Sequence, residues 1–267
     1  MVNKLELQSV INKYFLNGMV ESVKWTTENN ALTIDFQSPN KDMIGCVKHT
    51  NFPLEDSEIA VYDTSKLNKL LGIASGEVVL ELEKTQAVYT KLIISDSNYT
   101  LNFSLTDLLL IQDLGSVTDP QNYEIIGDLG EEEISAIIKA HNALESDNMI
   151  VRIDRDLDGE DCLMLTFGDN TNHTNKIDYQ FPDATLNDVP YGTKIPFNSA
   201  MVKTILNNNK DATSAKLSVN TQGLMRLLFQ GENWTSVYYI VRKADIWYIY
   251  NHTKDLRARN LLFNRWS

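Results

Sequence analysis

The chain repeats its own pattern at a separation of about half its length. The ten residues from Lys91 to Thr100 match the ten from Arg226 to Thr235 in type: one basic, three apolar, three polar or glycine, then asparagine, an aromatic and threonine. The two asparagines are 135 positions apart (233 − 98) in a chain of 267 residues. Because each copy of a repeat must form the same structural unit, the sequence predicts two similar domains.

A second match at the same separation predicts a helix start in each copy. Residues 60–65 align with residues 195–200, and in both an extended segment ends on an aromatic residue that Asp63 or Asn198 follows. Asp and Asn accept hydrogen bonds from the free N–H groups of a first helical turn. We therefore expect helices over residues 64–72 and 198–210.

Each half also begins with a helix followed by strands. Apolar residues recur at helical spacing from Leu7 to Phe15 and again from Ile134 to Leu144, where three glutamates precede them at residues 131–133. Alternating runs then predict strands over residues 19–25, 31–36 and 44–50, and over 149–154, 162–167 and 176–181. The whole pattern predicts an α+β fold of four modules, each with one helix and several antiparallel strands.

The predicted domains are residues 1–110 and 129–250, joined by a connector of residues 111–128 in which Gly115, Pro120 and Gly127 interrupt the periodicity. The apolar run 108–111 has two interpretations: a last strand of the first domain, or an apolar surface kept for a partner. The basic and apolar tail of residues 251–267 either packs on the second domain or places Leu262 and Phe263 in an apolar pocket of its own chain or of a neighbouring copy.

Composition and sequence termini predict a soluble globular protein that is not secreted. Hydrophobic residues are 43% and charged residues 22% of the chain, which is an ordinary balance. No apolar run approaches the roughly 20 residues that span a bilayer, and residues 1–8 lack the apolar stretch of a signal peptide. We expect no membrane partner.

We found no sequence pattern for catalysis, for a cofactor or for a metal. The four histidines share no metal-ligand spacing, and Cys46 and Cys162 lie in strand-like runs, where thiols are usually small buried hydrophobes. Residues 154–159 open like a calcium-binding loop, but the twelfth position, which requires glutamate, is Leu165. Asp158 and Gly159 instead predict a hairpin turn. We therefore expect a protein that is not an enzyme.

The charged residues are distributed unevenly along the chain. A formal net charge of −12 alone argues against binding nucleic acid. However, the predicted helices 64–72 and 198–210 contain lysines and no acidic residue. Their apolar residues should face a sheet, which leaves the lysines on the opposite face. The first helix adds Lys4 and Lys13 against Glu6, and the third adds Lys139 and His141 away from its acidic start. An ordinary solvated surface explains the lysines of any one helix, whereas the same bias in four helices suits contacts to duplex phosphates.

Three segments resemble the sliding clamps of T4-type bacteriophages and, through them, the two-domain clamps of the proliferating cell nuclear antigen type. Residues 58–63 (Glu-Ile-Ala-Val-Tyr-Asp) with 70–73 (Leu-Leu-Gly-Ile) resemble the strand-into-helix segment of the first clamp domain. Residues 131–138 with 147–153 resemble the start of the second domain. Residues 229–232 and the strand 236–241 resemble the last hairpin, and the chain departs from the pattern after Ala244.

The resemblance implies the DNA clamp fold: two similar domains, each with two helices backed by antiparallel sheets, in a ring that three chains close head to tail around duplex DNA. It implies a non-enzymatic protein that tethers the replicative DNA polymerase for processive synthesis, has a clamp loader as a further partner, and works in the cytoplasm of an infected bacterial host. The alternative, from another class, is a virion or scaffolding protein that uses two β-rich domains for assembly and never contacts DNA.

The resemblance also assigns site residues. The helix lysines would line the pore and contact DNA; they are Lys4, Lys13, Lys66, Lys69, Lys139, Lys203 and Lys210. Leu109 and Ile111 are the candidates for the apolar pocket that receives a short peptide from polymerase or loader.

Overall fold

The computed structural model describes residues 1–112, 114, 119–120, 122–168 and 175–243. The predicted tail of residues 251–267 therefore lies outside the described residues. The chain forms two compact units. The first contains Met1–Gln112, Thr204–Ala215 and Leu227–Tyr239, and the second contains the described residues of 113–203, 216–226 and 240–243. Segments from the second sequence repeat thus belong to the first unit.

The first unit opens with a helix and continues mainly as antiparallel strands. Its elements are β1 (Val2–Asn3), α1 (Lys4–Phe15), β2 (Val23–Glu28), β3 (Ala31–Gln37), β4 (Met43–His49), β5 (Ser57–Val61), α2 (Thr64–Leu71), β6 (Glu77–Thr85), β7 (Val88–Ser95) and β8 (Thr100–Ser104). One sheet has the order β1-β6-β7-β8, and β4, β3, β2 and β5 are neighbours in another. All pairings among these strands are antiparallel.

The second half of the chain repeats this plan. Its elements are β9 (Ile125–Asp128), α3 (Glu131–Leu144), β10 (Asn148–Arg155), β11 (Asp161–Phe167), β12 (Ile177–Phe181), β13 (Thr185–Leu186), β14 (Lys194–Asn198), α4 (Ser199–Asn208), β15 (Ser214–Val219), β16 (Leu224–Gln230) and β17 (Trp234–Val241). The second unit contains the antiparallel sheet β12-β11-β10-β14. Elements α4, β15, β16 and β17 each contribute residues to both units, and β17 lies beside β4.

The repeat seen in the sequence is also present in the hydrogen bonds. The Asp63 side chain accepts from the Lys66 N–H at 2.8 Å, and the Asn198 side chain accepts from the Met201 N–H at 3.1 Å, 135 positions later (201 − 66). These bonds cap α2 and α4, as predicted. The predicted starts and ends of all four helices are correct to within two or three residues.

Each half also joins its two helices in the same way. In the first, the Thr64 N–H donates to the Glu21 carbonyl at 3.1 Å, and the Thr64 and Tyr14 hydroxyls are 3.3 Å apart. In the second, the Ser199 N–H donates to the Asp147 carbonyl at 3.2 Å, and the Ser199 hydroxyl lies 2.8 Å from His141 Nδ1. The first residue of α2 or α4 therefore fixes that helix to its partner.

The helices bury their apolar faces, as expected. The fully or nearly fully buried residues are Leu7, Val10 and Ile11 on α1, Leu67 and Leu71 on α2, Ile137 and Ile138 on α3, and Val202, Ile205 and Leu206 on α4. Each such side chain contributes about 1.5–3 kcal/mol when it leaves water. This burial fixes which face of each helix remains for contacts.

Three detailed expectations can be compared with the structure. The strand predicted from residue 19 begins only at Val23, because Leu16, Asn17 and Gly18 all have positive φ and turn the chain after α1. The hairpin turn between β10 and β11 is confirmed: Gly159 has φ +86° and its N–H donates to the Asp156 carbonyl. The strand interpretation of residues 108–111 is wrong, since Leu108–Leu110 form a 3₁₀ turn.

Helices of the described residues are all too short or too polar to cross a membrane.

Candidate nucleic-acid interface

Helix α2 presents two lysines on one exposed face. Lys66 and Lys69 are three positions apart and exposed, while Leu67 and Leu71 are buried on the opposite side. The helix has no acidic residue, and the carboxylate at its start, Asp63, accepts a backbone N–H. The positive charge of this face is therefore not neutralised within the helix.

Lys4, the first residue of α1, contacts the carboxyl end of α2. Its ammonium donates to the Gly72 carbonyl at 3.2 Å, just past the last residue of α2. A cation at this position is favourable because the carbonyl end of a helix carries partial negative charge. Lys4 is half-buried, so part of its side chain is exposed to solvent.

The second helix pair carries Lys139 on α3 and Lys203 on α4. Lys139 is exposed and Lys203 half-buried. The pKa of His141, which is buried on α3, is lowered first by burial and then by the positive charge of Lys203. Lys203 therefore lies close to α3. Lys210 is exposed in the turn that follows α4.

The structure does not place Lys13 with these residues, and the prediction that it lies on an exposed helix face is wrong. Lys13 is 0% exposed. Its ammonium lies 2.9 Å from both carboxylate oxygens of Asp211 and 3.8 Å from the centroid of the Trp234 ring. Segments about 200 positions further along the chain cover the helix at this point. Lys13 is thus a buried, neutralised group and is not available to phosphate.

The three asparagines at the end of α4 differ in burial. Asn209 is 0% exposed, and its amide donates to the Ile205 carbonyl and to the Tyr238 hydroxyl at 2.8 and 2.9 Å. Its carbonyl oxygen accepts from Ser236 at 2.7 Å. The Tyr238 hydroxyl in turn donates to the Lys13 carbonyl at 2.8 Å. Asn209 belongs to a buried hydrogen-bond network, whereas Asn207 and Asn208 are half-buried.

Three lysines on the strands have carboxylate partners. Lys24 on β2, Lys91 on β7 and Lys216 on β15 each lie within 4 Å of a carboxylate, at 3.4, 2.7 and 3.5 Å. In the part of the chain that the structure describes, Lys66, Lys69, Lys139, Lys203 and Lys210 form no ion pair. Lys48, Lys84 and Lys194 on strands form none there either, so α2 and α4 are distinguished by having unpaired lysines and no acidic residue of their own, in a chain whose net charge is −12. Unpaired ammonium groups are what phosphate contacts require.

A separate exposed apolar surface lies at the end of the first unit. In the 3₁₀ turn Leu108–Leu110, the Leu109 side chain is 91% exposed and Leu110 is 67% exposed. Ile111 is half-buried, and its N–H donates to the Leu108 carbonyl at 3.1 Å. The sequence prediction named Leu109 and Ile111 but missed Leu110, because an uninterrupted apolar run does not show which side chains point outward.

Hydrogen bonds fix this turn at both ends. The Asp107 carboxylate accepts from the Leu109 N–H at 2.9 Å, and Gln37 donates to the Gln112 side chain at 2.6 Å. The exposure of Leu109 is therefore imposed by an ordered backbone.

The described residues provide neither a metal site nor a reactive thiol. No group of three or more His, Cys, Asp or Glu side chains among them could hold a metal ion. Burial raises the pKa of Cys46 to about 12, and burial also raises the pKa of Cys162. Both thiols stay protonated at neutral pH and are therefore unreactive.

Comparison with known proteins decides the fold. No family model and no curated protein matches the sequence. Among solved structures, proliferating cell nuclear antigen (PCNA) from Entamoeba histolytica matches with a TM-score of 0.68 and 14% identity, over 91% of this chain and 96% of that one. PCNA from Thermococcus kodakaraensis matches with a TM-score of 0.68 and 14% identity, over 91% and 98%. PCNA from A. fulgidus, with the C-terminal region of FEN-1 bound, gives 0.70 and 15%, over 91% and 97%.

The chain has the PCNA clamp fold. The predicted fold class, α+β with two similar halves of two helices and antiparallel sheets, is confirmed. These clamp structures give no support to the alternative of a virion or scaffolding protein. At 14–15% identity the likeness establishes the fold alone, so roles for individual residues of this clamp-fold chain must be argued from its own geometry.

Proposed function

We propose that this protein is a sliding clamp, a non-enzymatic ring that encircles duplex DNA and tethers a replicative DNA polymerase for processive synthesis. One observation carries the proposal: in an acidic chain with the clamp fold, the exposed lysines of the helices are free of carboxylate partners among the described residues. Helices of the two halves would line the pore.

The charge arrangement suits sliding better than fixed binding. Lysine ammonium groups on flexible stems attract phosphates without reading base sequence. An acidic remainder of the surface repels DNA, so the duplex is favoured only inside the ring. Contacts of this kind weaken as salt rises, because each releases counterions from DNA.

We further propose a ring of three chains, since each chain supplies two repeats and six repeats close the ring in the clamps that the sequence resembles. The resemblance of residues 58–63 and 131–138 supports a clamp of the T4 bacteriophage type, placed on DNA by a clamp loader in the cytoplasm of an infected bacterium. Light scattering tests the ring directly. A trimer mass is expected, and a monomer at all accessible concentrations would contradict the proposal.

The exposed turn at residues 108–111 is the proposed docking site for a partner peptide from polymerase or loader. Leu109 is 91% exposed and the adjacent Leu110 is 67% exposed on an ordered turn. Contiguous exposed apolar side chains of this kind typically mark a surface that binds a partner. Leu109→Ser should weaken binding of such a peptide at least tenfold without changing DNA retention. Leu157→Ser removes a fully exposed leucine from the β10–β11 turn and is the control.

Charge reversal on the helices tests DNA binding. Four exposed or half-exposed helix lysines are changed to glutamate in one variant: Lys66, Lys69, Lys139 and Lys203. The matched control changes four exposed lysines of strands and turns: Lys41, Lys48, Lys84 and Lys194. Processive synthesis by the partner polymerase should be lost in the helix variant and kept in the control. Equal activity of the two variants would reject the proposed DNA face.

A further inference from the structure

Strand β14 forms one edge of the sheet in the second unit. The sheet has the order β12-β11-β10-β14, so within the described residues β14 pairs on one side only, with β10. The outer side of such a strand presents unpaired N–H and C=O groups, which proteins usually cover or interrupt. Pro196, in the middle of β14, is typical of an edge because proline cannot donate a hydrogen bond to a neighbouring strand.

The chain that leaves β17 returns to this edge. The Arg242 N–H donates to the Gly223 carbonyl at 2.7 Å, and the next N–H, that of Lys243, donates to the Pro196 carbonyl at 2.8 Å. Lys243 is the last residue that the structure describes. The sequence therefore continues from a point that is already hydrogen-bonded to the outer side of β14.

The bond from Lys243 shows which main-chain groups of β14 face outward. In an antiparallel pair the N–H and C=O of one residue point to the same side, and the side alternates along the strand. Because the Pro196 carbonyl faces Lys243, the N–H and C=O of Lys194 also face outward, whereas those of Ile195 face β10. Lys194 can therefore exchange two hydrogen bonds with a further strand.

The first half of the chain indicates the direction in which such a strand would run. After β8, the Thr106 N–H donates to the Ala60 carbonyl of β5 at 3.2 Å, and these two residues pair in antiparallel orientation. Strand β5 is an outer strand that precedes α2, as β14 precedes α4. Each half thus returns, after its last strand, to the strand before its second helix. Antiparallel pairing would carry the chain from Lys243 toward Lys194.

The segments that follow these two bonds differ in the structure that they favour. Residues 107–111 are an aspartate, three leucines and an isoleucine, and Leu108–Leu110 form a 3₁₀ turn. Residues 245–249 are an aspartate, an isoleucine, a tryptophan, a tyrosine and an isoleucine. Leucine favours helical conformations, whereas β-branched and aromatic residues favour strands. Residues 245–249 are therefore suited to extend a sheet.

The register set by the first bond brings opposite charges together. With Lys243 opposite Pro196, Asp245 is opposite Lys194, two positions further along one strand and two positions back along the other. Lys194 is exposed and forms no ion pair in the part of the chain that the structure describes. Residues directly opposite each other lie on the same face of a sheet, so the Asp245 carboxylate would compensate the Lys194 ammonium.

Main-chain pairing in this register would end at Lys194. The Gly192 N–H donates to the Ile153 carbonyl of β10 at 3.2 Å and is not available to a further strand. Trp247 would lie near Gly192, where a Cβ would have no atom within 4 Å apart from those of its chain neighbours. An aromatic side chain that covers an edge glycine stabilises strand pairing. The adjacent Tyr191, which is 58% exposed, adds an apolar surface there.

We infer that residues 245–249 bind the outer edge of β14 in their own chain, antiparallel to it and in the register that places Asp245 opposite Lys194. The sheet of the second unit then gains a fifth strand beside β14. This strand closes an edge that could otherwise pair with another chain. The inference depends neither on the proposed DNA face nor on the proposed docking turn at residues 108–111.

Disulfide trapping tests the register. In the variant Lys194→Cys with Asp245→Cys, the two cysteines occupy a hydrogen-bonded antiparallel pair, with Cα atoms about 5.5 Å apart. A disulfide can span this distance. Mild oxidation of the full chain should therefore give an intrachain disulfide between residues 194 and 245, identified by mass spectrometry of the digested protein.

The matched control moves one cysteine by a single position. In Lys194→Cys with Ile246→Cys, the second cysteine lies on the other face of the sheet, so the disulfide yield should be at least tenfold lower. The native Cys46 and Cys162 are present in both variants and set the background. A higher yield in the control would overturn the register, because a slip of one residue turns every side chain to the other face. A disulfide between two chains would overturn binding within one chain.

Amide hydrogen exchange tests the pairing without added cysteines. The Lys194 N–H should be protected in the full chain. Asp245→Pro removes the N–H that would bond to the Lys194 carbonyl, and it should speed exchange of the Lys194 N–H at least tenfold. Asn251→Pro, beyond the added strand, is the control and should leave this exchange unchanged. Equally fast exchange of the Lys194 N–H in wild type and in Asp245→Pro would overturn the inference.

Discussion

The two helix pairs share a backbone scaffold but differ in the polar groups that they carry. In the first pair, the Asn68 amide donates to the Asn12 side chain at 3.3 Å. The corresponding residues of the second pair are Lys203 and Lys139 (203 − 68 = 135; 139 − 12 = 127). Similarly, Tyr14 with Thr64 in the first pair corresponds to His141 with Ser199 in the second. The caps and the buried apolar positions are the same in both helix pairs, whereas the polar residues between the helices differ.

The largest expected effect concerns Lys13, which has no ionic counterpart in the second pair. Asp211→Ala leaves a fully buried ammonium without its carboxylate. We expect a loss of about 3 kcal/mol in the free energy of unfolding, at the lower end for buried pairs because Asp211 is itself half exposed. Urea denaturation measures this loss.

The control for this prediction is an exposed pair in the second unit. Asp161 lies 3.6 Å from Arg155, and both side chains are largely exposed. Asp161→Ala should therefore cost less than about 1 kcal/mol. Equal costs for the two substitutions would mean that the Lys13 pair is not desolvated in solution.

Sequence reasoning succeeded where the determinants are local. The repeat, the caps at Asp63 and Asn198 and the apolar spacing predicted all four helices, and the resemblance to sliding clamps implied the clamp fold. It failed at Lys13, because Asp211 and Trp234, which cover this residue, lie 198 and 221 positions away in sequence (211 − 13; 234 − 13). It also failed at residues 19–22, where three consecutive residues of positive φ delay the strand. Neither feature has a periodic pattern that a single sequence can reveal.

The lysines of the candidate DNA interface could also be predicted only in part, because some of their determinants are local and others are tertiary contacts. A helix without acidic residues can be recognised locally, and α2 and α4 do carry exposed or half-exposed lysines without carboxylate partners among the described residues. Which lysines remain free depends on tertiary contacts, which pair Lys24 with Glu58 and leave Lys66 open. The DNA role of each lysine stays a prediction.

Removing a helix cap should lower the free energy of unfolding by a smaller amount, and by the same amount in both halves. Asp63→Ala and Asn198→Ala each remove the side chain that accepts an N–H in the first turn of a helix. Each should cost about 1 kcal/mol in the free energy of unfolding. Thermal or urea denaturation of the two variants measures the costs. A cost at one cap only would show that the two halves do not use their matching bonds equally.

The helix-joining bonds should differ in their response to pH. Burial, and next Lys203, lower the pKa of His141 below its usual 6.5, although Glu145 and Asp147 partly oppose them. The folded chain therefore binds this proton less well than the unfolded chain. Stability from His141 is present above pH 6.5 and is lost as pH falls through 6.5 toward the folded pKa.

The measurement is unfolding free energy between pH 5 and 8 for wild type and His141→Gln. The part of the pH dependence that arises from His141 should vanish in the variant. Thr64→Ala, at the corresponding bond of the first pair, should lower stability without changing its pH dependence, because Tyr14 and Thr64 do not titrate in this range. A His141→Gln curve parallel to that of wild type would contradict the assignment.

The smallest expected effect comes from a variant that gives the first helix pair the polar residues of the second. Asn12→Lys with Asn68→Lys removes one partly buried amide bond of 3.3 Å, which should cost about 0.5–1 kcal/mol in unfolding free energy. If the helices contact DNA as proposed, the two added cations should steepen the plot of log affinity against log salt by up to about 1.8 per chain. The reciprocal variant Lys139→Asn with Lys203→Asn should flatten it by a similar amount. Slopes unchanged in both variants would mean that positions 12, 68, 139 and 203 do not face the phosphates, even if the ring itself forms.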